Sequence, residues 1–144
     1  MHVRAQIRAA VVATLLSHTA AGTKVRAARI DPPQADQCPW ISVHTPSEES
    51  RPAAVYRGDE RVVTVRIDAF ARALAAATTA VDDALDALAV EIESRMDLGL
   101  GVGESEVRYL GCSLNLDATG DGDLGRIALM YAVTIATNGP ETVL

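Results

Sequence analysis

The chain has 144 residues, 49% apolar and 22% charged, enough to bury roughly 70% of its unfolded surface in one compact domain. High apolar content with charges of both signs argues against disorder. A formal net charge of −6, with Lys24 the only lysine, argues against a protein that wraps phosphates.

Only 3% of residues are aromatic, so the core must be built from aliphatic side chains and alanine. Arg4 and Arg8, the apolar run Ala9 to Leu16 and "HTAA" have the make-up of a signal peptide. The apolar residues nevertheless fall at helical spacing. Val3, Ile7, Val11 and Leu15, flanked by Ala10 and Thr14, predict an amphipathic helix over 3–17 that stays with the folded domain. "AAG" at 20–22 ends it, with Gly22 as the stop.

"TKVRAARI", 23–30, predicts a strand, and "WISVH", 40–44, a short one after Pro39. Residues 45–60, "TPSEESRPAAVYRGDE", are polar with two prolines and predict a long mobile loop. "RVVTVRIDAF", 61–70, alternates: Val63, Val65, Ile67 and Ala69 share one face, and Thr64, Arg66 and Asp68 the other.

A second helix carries the stripe Val81, Leu85, Leu88, Ile92 and Met96. Thr79 and Asp82 resemble a capping box, Asp82, Asp83 and Asp86 fall in the first turns to complement the dipole, and Gly99 stops the helix after Arg95. The glycine-rich "LGLGVGES", 98–105, predicts a second mobile loop.

"VRYLGCSLNLD", 107–117, places Leu110, Cys112, Leu114 and Leu116 on one face. "RIALMYAVTIAT", 126–137, does the same for Ile127, Leu129, Tyr131, Val133 and Ile135. Strict alternation marks a sheet buried on one face and at least partly wet on the other. The expected fold is therefore α+β: one domain over 1–144, with an antiparallel, possibly mixed, sheet of about four to five strands. Two helices pack on one face of it. No run approaches the ~18 apolar residues of a membrane helix. Cys38 and Cys112 have no metal-type spacing; Cys112 reads as a buried apolar residue and Cys38 as lying near a strand start, which favours a reducing compartment.

"NLDATGDGDLGRI", 115–127, has the look of a calcium loop. With Asp117 as position 1, however, position 12 is Ala128 instead of a bidentate acid, and a strand follows where a helix is needed. Asp-Gly is the favoured pair for a tight hairpin, so the stretch reads as a chain reversal. Asp117, Asp121 and Asp123 remain as weak candidate metal ligands.

"GLGVGE" follows a helix and lacks the Lys-Ser/Thr of a phosphate loop, and "RGD", 57–59, reads as a turn. His2, His18 and His44 neighbour no nucleophile or acid cluster in sequence, and Ser47 and Ser50 lack an elbow context, so no enzyme and no cofactor is expected.

The order of features resembles the tail terminator family of long-tailed phages, also called minor tail or tail completion proteins. "RAQIRAAVVATL", "DDALDALAVEIESRM" and "GDGDLGRIALMYAVTIAT" carry the resemblance, which runs over about residues 3–137. It extends to phage-like particles such as gene transfer agents.

The resemblance implies a virion protein, assembled in the bacterial cytoplasm, forming a ring of about six copies on the head-proximal end of the tail tube. Its partners would be copies of itself, the tube protein and a head completion or connector protein. DNA would pass through the lumen unbound. Six copies would carry about −36, which favours an acidic lumen that repels DNA. Glu48, Glu49, Arg51, Arg57 and Asp59 are the expected contacts to tube or neighbour. The alternatives are a head-side connector or neck ring, and an isolated ligand-binding α+β domain with a calcium loop at 117–123.

Overall fold

The computed structural model describes residues 1–27, 37–52, 58–72, 78–117 and 124–144, with backbone alone for 78–80 and 117. Along these residues run α1 (Val3–Leu15), β1 (Val25–Ala27), β2 (Trp40–Pro52), β3 (Asp59–Arg72), α2 (Thr78–Met96), β4 (Ser105–Asp117) and β5 (Leu124–Thr137).

α1 forms because Val3, Ile7, Val11 and Leu15 recur about once per turn, and all four are fully buried. His2, which the sequence reading passed over as a cap, holds its start: the ring Nδ1 accepts the Arg4 N–H at 3.1 Å. The helix ends at Leu15, short of the expected 17. Ser17 turns into the left-handed region at φ 61° and donates its N–H to the Gly22 carbonyl at 2.8 Å.

α2 buries the expected stripe of Val81, Leu85, Leu88, Ile92 and Met96. Gly99, at φ 83°, donates to the Met96 carbonyl and closes it. Because α2 already begins at Thr78, Thr79 lies inside the helix instead of capping it. Asp82, Asp83 and Asp86 fall beyond the first turn, where dipole compensation fades.

The sheet order is β1-β2-β3-β5-β4, with β1 parallel to β2 and every other pair antiparallel. Val63, Val65, Ile67 and Ala69 of β3 and Ile127, Leu129, Tyr131, Val133 and Ile135 of β5 form the core face with both helices. The fold is thus α+β, a mixed five-stranded sheet with two helices on one side. On the opposite face, Trp40, Ser42, Asp68, Phe70 and Ala128 are also buried. That face is wet toward β4, not along its whole width.

Two sequence boundaries move. The expected loop over 45–60 is mostly strand, since β2 runs to Pro52 and β3 starts at Asp59. A one-residue register shift between His44 and Ser47 lets the pair continue as an extended hairpin. The expected strand over 23–30 is seen as Val25–Ala27: Thr23 and Lys24 precede it, and 28–30 lie outside the described residues.

The chain ends meet. The Val3 N–H donates to the Pro140 carbonyl at 2.8 Å, and the Met1 ammonium pairs with Glu141 at 3.2 Å. Gln6 donates to the Met1 and Glu141 carbonyls, and Val143 bridges back to Thr137.

Candidate assembly surface

The far half of the β2–β3 hairpin carries most of the sequence-predicted contact residues. Past the register shift, Glu48 pairs with Val63 and so lies on the helix-side face. Its Oε1 accepts from Arg61 Nη1 at 3.2 Å and faces His2 Nε2 at 3.5 Å. Arg61 also donates to Thr137 Oγ1 at 3.3 Å, and that hydroxyl donates to the Asp59 carbonyl at 3.3 Å.

Arg51 pairs with Glu60 across the strands, on the opposite face from Glu48, and Glu49 is exposed. The structure therefore puts Glu48, Glu49, Arg51 and Asp59 on one hairpin but divides them between its faces, with Glu48 and Arg51 engaged internally. Arg57 lies outside the described residues.

A second surface, which sequence reasoning misassigned, lies along β4. This outermost strand pairs only with β5 among the described residues. A bulge at Leu110, made possible by Gly111 at φ 141°, takes Leu110 out of the alternation. Cys112, Leu114 and Leu116 then pair with Leu129, Ile127 and Gly125 and point to the helix side.

They should be core by pattern, yet α2 lies over β3 and β5 and its cover stops short of β4. Tyr109, Leu110, Leu114 and Leu116 are 43%, 48%, 49% and 37% exposed. Cys112 is exposed as well, against the expectation that it is buried. Alternation reports which face a side chain takes; it is silent on how far a covering helix reaches.

Tyr109 stacks obliquely on buried Tyr131, ring centroids 5.4 Å apart at 59°. A hydrogen bond with the Cys112 thiol pushes the Tyr109 hydroxyl up to about 12, and burial raises that of Tyr131. Glu93 of α2 acts on both rings and Asp97 on Tyr131, so an acidic flank of α2 borders the strip.

Among the described residues, no group of three or more His, Cys, Asp or Glu side chains is placed to hold a metal ion. Asp117 ends β4, while Asp121 and Asp123 lie outside the described residues. β4 and β5 are antiparallel neighbours, so the chain does reverse between them.

His44 Nε2 lies 3.5 Å from Asp68 Oδ2, a carboxylate also held by Arg66 at 3.2 Å. Ser42, directly opposite Asp68 across the strands, accepts from the Trp40 indole. Asp68 is buried in this cluster, while His44 and Arg66 are partly exposed. No helix among the described residues is long and apolar enough to cross a membrane.

No protein-family model and no curated protein matches the chain. Among solved structures, one chain described as "Virion of native gene transfer agent (GTA) particle" has this fold. It superposes with a TM-score of 0.63 at 21% sequence identity, covering 94% of this chain and 99% of that one. Near-complete coverage on both sides makes the shared object a whole fold, α1 through β5, and not a common fragment.

Proposed function

We propose that this chain is a structural, non-enzymatic subunit of a phage or phage-like particle. In this reading about six copies form a ring that caps the head-proximal end of the tail tube, ends tube growth and offers the head-joining surface. The observation that carries it is the long outer strand β4 with uncovered apolar side chains, a surface suited to a neighbour and not to chemistry. The likeness over the full chain to a particle subunit supports the setting.

The β2–β3 hairpin is the second contact element. Its internal pairs Glu48–Arg61 and Arg51–Glu60 stiffen it, leaving exposed Glu49 for the tube or the adjacent subunit. The lumen is net acidic, so DNA passes by like-charge repulsion. Partners are the chain itself, the tube protein and a connector protein.

Native mass measurement and particle imaging test the proposal together. The expected result is a closed ring stacked on the tube end; reversing the charge of exposed Glu49 should weaken tube capture while leaving the melting temperature unchanged. Placement on the head side would give the connector reading instead. A chain that stays monomeric at every concentration and is absent from particles would overturn both.

A further inference from the structure

An open strand edge and a charged wall together define what can cover the β4 strip. The edge is the outer backbone of β4, 13 residues long and unpaired among the described residues. Beside it, on the helix side, stand the uncovered side chains of Tyr109, Cys112, Leu114 and Leu116.

The wall is one stripe of α2. Asp82, Asp86, Val90, Glu93 and Asp97 recur three or four residues apart and so share a flank of the helix. The other flank is taken up by α1 and the turn after it: Glu91 accepts from the Ala20 N–H at 2.6 Å, and Arg95 donates to the Thr14 carbonyl at 3.3 Å. The acidic flank therefore looks toward β4. Stripe and strip run side by side. Leu116 meets Val81 and Leu85, at the start of α2, around Gly125, and Glu93 acts on the Tyr109 hydroxyl further along. Val90 is exposed on this wall, and Asp82 Oδ1 is buried there with no hydrogen-bond partner among the described residues.

A strand added to the edge would raise every second side chain into the angle between floor and wall. Long cationic side chains fit both surfaces. Their stems lie on the leucines and Tyr109, and their charged ends reach the carboxylates.

Among the described residues, no sheet edge of this chain supplies them. Arg26 of β1 pairs with Ser42 and holds its guanidinium 5.9 Å from the Trp40 ring centroid, on the face away from the helices. Only Val25 and Ala27 of that strand are left for the helix side. Pairing β4 with the β4 of a copy would set two acidic stripes about one groove. Arg108, opposite Ala132 on the other face, would relieve none of that repulsion.

We propose that β4 takes up an extended segment of a different protein as an added strand, basic and apolar by turns on the side that faces α2. The inference rests on the particle reading for that partner being another protein of the particle. Copies of the chain then meet through other surfaces.

The probe is a synthetic peptide of about ten residues, enough to run the length of the strip. Every second residue is threonine, and the others are lysine and leucine in turn. It should bind the full chain, as read by fluorescence anisotropy. Binding should weaken about tenfold or more when glutamate replaces its lysines, or when the amides of its pairing edge are N-methylated. Reversing two exposed positions together, Asp86→Lys and Asp97→Lys, should turn the preference toward the glutamate peptide. Leu114→Ser, also exposed and altering no charge, should weaken the lysine peptide about tenfold.

Equal binding of the lysine and glutamate peptides would overturn the charge match, and undiminished binding of the N-methylated one would overturn strand addition. An unaffected Leu114→Ser chain would move the contact off β4. Self-association that Leu114→Ser abolishes would make the occupant a second copy. If the lysine peptide never binds while rings still cap tubes, this inference falls and the particle reading stands. A chain that binds the peptide but is absent from particles would remove that reading and keep the strand-addition edge.

Discussion

His44 on β2 sits under opposed influences. Burial is the strongest and, with the charges of Arg66 and Arg8, outweighs the pull of Asp68, so the imidazole's pKa lies below its ordinary 6.5. The folded state therefore resists a proton that the unfolded chain accepts. The stability owed to neutral His44 is fully present above about pH 6.5 and declines as pH falls below it. Denaturant titrations at about pH 7.5 and about pH 5.5 should show a loss that is smaller in His44→Gln; an equal loss in both proteins would refute the assignment. The residues that sequence reading placed well were those whose role depends on their own strand or helix: Val63, Ile67, Leu85 and Leu129 are all buried as patterned. Cys112 and Leu114 were misplaced because their exposure depends on a helix elsewhere in the chain stopping one strand short.

At the scale of elements, α2 and β5 come together through a missing side chain. A Cβ at Gly125 would collide with Val81 Cγ1 and lie 2.9 Å from Leu85 Cδ1 and 3.1 Å from Leu116 Cδ2. The start of α2 thus rests directly on the β5 backbone. Gly125→Ala should lower stability by about 1–3 kcal/mol through overpacking, measured by chemical unfolding; a neutral change would mean that α2 shifts freely over the sheet. The same region shows what periodicity can and cannot reveal. The 3.6-residue stripe of α2 identified its buried face without reference to any other element, and the two-residue period of β3 and β5 did likewise. The β2–β3 arm was hidden because Pro46, Pro52 and a run of polar residues look like loop. Strand pairing past His44 is sustained by cross-strand partners and a register shift, neither of which leaves a local signature.

At the scale of the molecule, fold class was legible in periodicity and the surfaces that meet partners were not, because alternation and stripes encode layers while partners are encoded in surfaces. The parallel pairing of β1 is a further case: three residues, Val25–Ala27, fix it by position beside Ile41–Val43 and not by composition. If rings form, their assembly should weaken in low salt at high pH, where the net charge of −6 per copy is least screened. Sedimentation across ionic strength checks this, and assembly that instead strengthens in dilute buffer would argue that cross-subunit ion pairs dominate. The joined chain ends have a separate consequence. With Val3 bonded to Pro140 and Met1 to Glu141, residues 1 and 144 belong to one locale. A short peptide splice there, with new ends cut elsewhere in an exposed turn, should yield a circularly permuted protein that still folds. Reporter groups fused to Met1 and to Leu144 would accordingly report from one side of the domain.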